Sequence, residues 1–361
     1  MHWLLLSVIS ACMSSVWSLS VKAGLQHAKP VSFVGWYSAG AALIIAIGLT
    51  ILRIPIGISG WGLVAGVFAG LAGVGLSKSF AVGPNPGFSM GVFRMQAVAT
   101  AIISYFVFGA PLQRIKVVGM LLACAGVVGL ARGGGGKEGF IEDKVAHPHD
   151  KKHLKKHDKK KDKSKTEKGG LHWLWLAAGA GLLMSVKDIA TKKALIEGGP
   201  GGLGPTLFSC ALAQTVIVLG AAFLQNHALG LQQISGKKTG HPLLYVAGAS
   251  LAFAMYQATV ISASKGAPNV GIVKAIDTLG LVLTTFGSHF LFKSSISVPS
   301  LEGIGVILMG VLVMCFSGAE SEWWQGVGVR YKAKLCRQKG ICPSKGHDWV
   351  LMDALTGWGA T

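Results

Sequence analysis

Ionisable and hydrogen-bonding side chains set inside apolar stretches are where this sequence can do chemistry. Arg94 stands in GVFRMQAVAT, Lys274 and Asp277 in VGIVKAIDTLG, and Tyr256 and Gln257 in AFAMYQATV. Arg94 is about eight residues into its stretch, which at ~1.5 Å per residue is roughly 12 Å deep. A guanidinium facing hydrocarbon there costs at least about 2.5 kcal/mol, so it must face protein or a wet cavity. Arginine grips a carboxylate as a planar fork and lysine as a point charge. The pair therefore suits an anionic, carboxylate-bearing solute, with Gln257 and Tyr256 adding hydrogen bonds. Other roles stay open for the same residues. Asp277 can serve as a proton carrier, since a buried carboxylate responds strongly to its surroundings. Lys274 and Asp277 are i,i+3 neighbours that can neutralise each other. Arg94 can bond a helix-end carbonyl for structure alone, and Tyr256 and Gln257 can simply pack.

Other candidate chemistry is thinner. His147, His149, His153 and His157 lie in a lysine-rich run, which reads first as a solvated tether because crowded lysines repel a divalent cation. Cys336, Cys342 and His347 are spaced C-x5-C-x4-H, which fits no common zinc pattern. No G-x-S-x-G, H-E-x-x-H or phosphate loop is present, so no enzyme and no cofactor is expected. HDWVLMD near the C-terminus resembles a His–Asp acyltransferase box, but its spacing is one residue too long.

The elements that carry these residues are apolar helices. Of 361 residues 51% are hydrophobic and only 14% charged, against about a quarter in soluble domains. Mean hydropathy is +0.53. Ten apolar segments are predicted, at about 2–22, 31–52, 60–82, 86–109, 115–132, 172–192, 205–225, 242–264, 270–292 and 300–318, most long enough to cross about 30 Å of hydrocarbon. The first is expected to be a retained helix, since no basic n-region or cleavage site marks a removed signal. The formal charge of +19 resides largely in loops: 132–168 hold 13 Lys/Arg against 7 Asp/Glu, and the tail after Gly318 holds 6 against 4. Only Asp188, Glu197, Asp277 and Glu302 supply negative charge to the apolar body. No folded basic face with stacking aromatics is visible, which argues against a nucleic-acid partner. Lys22, Lys78 and Lys187 are read as lying near helix ends and snorkelling to the interface.

A repeat organises the segments. Pro84-Asn85-Pro86-Gly87 aligns with Pro268-Asn269-Val270-Gly271 at a shift of 184, and the same shift pairs Gly119 with Gly303, Gly126 with Gly310 and Gly134 with Gly318. Ser20-Val21-Lys22 recurs as Ser185-Val186-Lys187 at a different shift. Proline, asparagine and glycine favour a turn, so each Pro-Asn-x-Gly is read as a break before the fourth helix of its half. Under this alignment positions 90 and 94, and likewise 274 and 278, lie one turn apart, so Arg94 and Lys274 project from equivalent faces and are expected to share a water-accessible hollow. A duplicated unit of five helices must cross the membrane in opposite senses. The predicted fold class is an all-α membrane protein of ten transmembrane helices in two inverted five-helix repeats. The first repeat spans 1–132, a charged His/Lys-rich linker that cannot bury enough surface to fold spans 133–170, the second repeat spans 171–318, and a polar tail suited to the membrane interface spans 319–361.

The stretches GPNPG, APNV and MQAVATAIISYFVFGAPLQRIKVVGMLLACAGVVGLA resemble the drug/metabolite transporter superfamily, and its EamA-like members in particular. The resemblance covers about 1–132 and 172–318. It departs where such repeats often carry a glutamate after the fourth helix, since here the residues are FGAPL and LFKSS. The resemblance implies a secondary transporter of a small organic metabolite, working by alternating access with the solute near the midplane, and cytoplasmic termini. A cation or metal transporter using Asp277 and the linker histidines is the alternative. The partners expected are a small-molecule metabolite and the lipid bilayer, and a homodimer is compatible with the sequence.

Overall fold

In the computed structural model, the described residues are 2–83, 86–110, 114–134, 172–224, 242–267, 269–293, 296, 298–299 and 301–313. Among them the regular structure is helical throughout: α1 (His2–Leu25), α2 (Pro30–Ile51), α3 (Gly60–Val82), α4 (Pro86–Arg94), α5 (Gln96–Phe108), α6 (Arg114–Gly134), α7 (His172–Glu197), a 3-10 turn at Gly199–Gly201, α8 (Leu203–Leu224), α9 (Pro242–Gly266), α10 (Val270–Asp277), α11 (Leu279–Phe292) and α12 (Leu301–Val313). The Lys-rich linker with its histidines, and the tail with Cys336, Cys342 and His347, lie outside the described residues.

Eight spans are long and apolar enough to cross a membrane, with α4–α5 and α10–α11 each counting as one. The apolar part of α6, Val117–Gly129, and the helix Leu301–Val313 are shorter, so the described residues match eight of the ten expected segments as full spans. Polarity is distributed as a bilayer requires, since backbone groups are satisfied within helices and polar side chains avoid lipid. Leu43, Phe106, Leu224 and Phe290 face outward, whereas Ser10, Ser14, Lys187, Lys274 and Asp277 are buried.

Local sequence sets the helix ends. Pro30, Pro86 and Pro242 each open a helix, where the missing N–H removes no intrahelical bond. Ser59 caps α3 by accepting from the Gly62 amide at 3.2 Å, and Asn269 caps α10 by accepting from the Gly271 amide at 2.8 Å. Asn269 thus does what its Pro-Asn-x-Gly motif predicts; Pro84, Asn85 and Pro268 are not among the described residues.

The shift of 184 read from the sequence recurs in conformation. α5 buries Gln96, Ala97, Thr100, Ala101 and Ser104, and α11 buries Gly280, Leu281, Thr284, Thr285 and Ser288, one for one at that shift. Both helices end on a left-handed residue, Gly109 (φ 63) and Lys293 (φ 53), again matching. Phe106 and Phe290 match as well, each 78% exposed.

Small residues let the helices touch. A Cβ on Gly66 of α3 would lie 2.4 Å from the Cys210 carbonyl of α8, and Gly62 and Gly70 meet α8 one turn to either side, the close approach small-xxx-small faces permit. Gly126 of α6 packs against Gly303 and Ile307 of α12, while Gly310 of α12 packs against Gly119 and Ala123 of α6. The contacts exchange under the shift, and numbering falls along one helix as it rises along the other, so α6 and α12 cross antiparallel. α1 and α9 are also antiparallel, with Trp3 beside Gly266 and Ser20 beside Gly248. So are α3 and α7: Ser79 Oγ donates to the Trp173 carbonyl at 2.9 Å, and Lys193 Nζ lies 4.0 Å from the Trp61 ring.

Candidate functional site

The fourth and ninth apolar segments are each broken at mid-length. Met95 (φ −59, ψ −15) and Thr278 (φ −64, ψ −17) interrupt them. The hydrogen-bond ladder tightens there into three-residue steps, Met95 N to the Val92 carbonyl (3.2 Å) and Thr278 N to the Ala275 carbonyl (3.1 Å). Short 3-10 stretches within a longer helix often mark hinges or strain. Arg94 ends α4 and Asp277 ends α10, so each break holds a charge.

These charges pair with each other. The Arg94 guanidinium is ion-paired with the Asp277 carboxylate through Nη1 and Oδ2, and its Nη2 donates to Ser14 Oγ at 2.7 Å. Asp277 also accepts from Ser10 Oγ (3.0 Å) and Tyr256 Oη (3.3 Å). Tyr256 in turn accepts from Lys274 Nζ at 3.2 Å. Lys274 continues to Asp188 Oδ1 at 3.2 Å, and Lys187 reaches the same oxygen at 3.4 Å. Lys187 then donates to Gln257 Oε1 (3.3 Å), and the Gln257 amide to Gln214 Oε1 (3.5 Å). One connected network thus draws on α1, α4, α7, α8, α9 and α10. Arg94 is 2% exposed and Lys274 and Asp277 are 0% exposed.

All five residues singled out from the sequence, Arg94, Tyr256, Gln257, Lys274 and Asp277, fall in this network. Three expectations about them and their surroundings need correction. Lys274 and Asp277 do not pair directly with each other: every residue of α10 is buried, Lys274 pairs with Asp188 and Asp277 with Arg94, and only the Tyr256 hydroxyl bridges the two. Lys187 does not snorkel. α7 runs on to Glu197, five residues past the predicted end, and this leaves Lys187 in mid-helix at 1% exposure. The expected hollow is closed. Voids bordering the network are small: about 10 Å³ beside Ser38, Gln214 and Gln257, about 10 Å³ beside Arg94, Met95 and Thr278, and about 20 Å³ beside Trp17, Tyr37 and Gln214, each room for about one water. Asp277 and Asp188 occupy the space between the cations.

Sequence reasoning misses Asp188 as a network member, although it is one of only four acidic residues in the apolar body. Ser10, Ser14 and Gln214 give no signal, because single polar residues on an apolar helix are common packing residues. Lys22 does sit near its helix end, bonding the Phe80 carbonyl at 3.2 Å. Lys192 does the same for α9, reaching the carbonyls of Ser264, Lys265 and Ala267 at 2.8, 3.4 and 3.1 Å. Among the described residues there is no group of three or more His, Cys, Asp or Glu able to hold a metal.

Formally, three cations face two carboxylates in this network, leaving one positive charge uncompensated. Burying ions out of water is expensive unless they are paired and hydrogen-bonded, so a further anion would complete the set. Fold and site together define a multi-pass helical membrane protein with an ionic core at two broken helices. No family model and no curated protein matches the chain. Solved structures do match it: 29 chains in all, among them one described only as "Crystal structure of protein", 17% identical over 89% of this chain and 98% of its own, with a TM-score of 0.59. At that identity the likeness is one of fold.

Proposed function

We propose that this chain is a secondary transporter of a small organic anion, in which two inverted five-helix repeats of drug/metabolite transporter type alternate access to the ionic network. The observation that carries the reading is the surplus buried cation beside two matched helix breaks, with Arg94, Lys187 and Lys274 on one side of the balance and Asp277 and Asp188 on the other. The antiparallel α6–α12 crossing, with its exchanged glycine contacts, supports inverted repeats. Discontinuous helices meeting at a buried polar site recur in transporters built this way. The closed network reads as a resting state. Asp277 occupies the fork of Arg94, and a solute carboxylate competes for it, freeing the α4–α5 and α10–α11 hinges. A cation or metal carrier is less favoured by the same observations, because Asp277 is committed to Arg94 and the surplus charge repels a cation.

The test is uptake into proteoliposomes across a panel of labelled carboxylates and organic phosphates. Arg94→Ala and Lys274→Ala should each abolish uptake of whichever anion the wild-type protein carries. Unchanged uptake in both variants removes the assignment.

A further inference from the structure

Beyond the ionic network, the matched half-helices α5 and α11 carry an unexplained set of buried polar groups. Thr100 and Ser104 on α5, and Thr284 and Ser288 on α11, are identical in type at the shift of 184, and all are at most 1% exposed. Thr284 bonds back to the Gly280 carbonyl at 2.7 Å. Thr100 Oγ1, Ser104 Oγ and Ser288 Oγ make no hydrogen bond within the protein, nor does either side-chain polar atom of Gln96. A buried hydroxyl or amide left unsatisfied costs about 1–3 kcal/mol, so Gln96, Thr100 and Ser104 on α5 and Ser288 on α11 each call for a partner. The natural partner is water.

Both helices lie in seams that reach the network. Gly181 of α7 lies against Phe93, and Ser185 Oγ donates to the Gln96 carbonyl at 3.2 Å. α7 and α4–α5 therefore run in the same sense, and Thr100 comes level with Asp188, whose Oδ2 also lacks a hydrogen bond. In the other seam Ser15 Oγ donates to the Gly280 carbonyl at 2.7 Å and Leu19 packs on Gly287. α1 and α11 thus run in the same sense, with Ser14 beside Gly280, whose carbonyl Thr284 bonds. The seams leave the network in opposite directions, because Arg94 meets Asp277 while Ala101 meets Gly271.

We infer that the α5–α7 seam and the α11–α1 seam are two hydrated half-paths, one leading from Asp188 to one membrane face and the other from Asp277 to the opposite face. Each admits water, and with it a small polar anion, when its half-helix swings at Met95 or Thr278. The Thr-x3-Ser pair supplies the hydrogen bonds that replace the anion's hydration along the way. The inference rests on the transporter reading for its purpose, but its test does not use transport.

Ser104→Cys and Ser288→Cys are near-isosteric and are made in the otherwise native full-length chain. Each is reconstituted in vesicles of known orientation and exposed to a charged, membrane-impermeant methanethiosulfonate from either side. Modification is read on the peptide containing the new thiol, so the native cysteines do not interfere, and Ile102→Cys, on the outward side of α5 at 46% exposure, sets the lipid-facing background. The Ser104→Cys variant should be modified several-fold faster from one side and the Ser288→Cys variant several-fold faster from the other. Modification of both from the same side, or of neither above the Ile102→Cys background, overturns the half-paths. Opposite-sided labelling in a protein that moves no anion leaves the seams standing and removes the solute assignment. Anion uptake with neither position labelled does the reverse.

Discussion

Asp277→Asn isolates the ion pair that joins the two helix breaks. The amide is nearly isosteric; its oxygen can keep accepting from one of the two hydroxyls, Ser10 (3.0 Å) or Tyr256 (3.3 Å), while its NH2 faces the other hydroxyl as a donor. What it loses is the charge facing Arg94. That guanidinium, 2% exposed, then keeps a hydrogen bond only to Ser14 Oγ at 2.7 Å. Removing one partner of a buried pair costs about 3–5 kcal/mol, because the other ion stays buried and uncompensated. At about 2–4 °C per kcal/mol for a chain somewhat smaller than this one, the unfolding midpoint should fall by roughly 6–20 °C. Arg94→Met strands the carboxylate and should cost a similar amount. The double variant Arg94→Met/Asp277→Asn removes both charges and should be more stable than the sum of the single losses implies, by at least about 1 kcal/mol. The assay is loss of the monodisperse peak on fluorescence-detected size exclusion after heating in detergent. Midpoints within about 2 °C of wild type for both single variants, at this conversion, or simple additivity in the double, would show that the pair carries no such load.

Three further outcomes follow from the packing. Gly126→Leu and Gly310→Leu should each destabilise by about 1–3 kcal/mol, and to a similar degree, since their Cβ atoms would lie 2.6 and 2.5 Å from the carbonyls of Gly303 and Gly119; Gly305→Ala, with nothing within 4 Å of its Cβ, should be neutral in the same thermal assay. Lys192→Ala should lower the midpoint by the equivalent of about 1–2 kcal/mol, since it strips three carbonyls at the end of α9, whereas Glu197→Gln, which breaks only the exposed 4.0 Å pair with Lys193, should change stability by under about 0.5 kcal/mol. The indole in Phe106→Trp or Phe290→Trp, at positions each 78% exposed, should be quenched by lipids brominated on their acyl chains, and absence of quenching at either would contradict a lipid-facing position.

Much of the site is legible because charge is scarce in this chain. A buried Arg94, Lys274 or Asp277 has few ways to be satisfied, so each must find a polar partner. The repeat is legible for a similar reason: Gly119, Gly126, Gly303 and Gly310 recur at one spacing because they touch crosswise, where a larger side chain would meet backbone. What stays hidden is instructive in detail. The breaks at Met95 and Thr278 carry no proline or glycine and keep right-handed helical angles, so propensity gives no warning of them. Lys187 is misplaced by hydropathy because α7 continues through the polar TKKALIE to Glu197, and the apolar signal ends the segment too soon. The choice of partner for Lys274 depends on which helices pack around a fully buried α10, and i,i+3 spacing alone cannot report that.

The most direct measurement is thermal stabilisation of the purified protein by a panel of carboxylates and organic phosphates, each matched to a neutral amide or alcohol analogue. A ligand at about 100 times its dissociation constant adds about 2.7 kcal/mol to the folded state. At least one anion should raise the midpoint while its neutral analogue does not, and the effect should vanish in Lys274→Met, which leaves Arg94 and Lys187 balanced by Asp277 and Asp188. Stabilisation that survives in that variant, or that the neutral analogues share, would contradict an anion site at the ionic network.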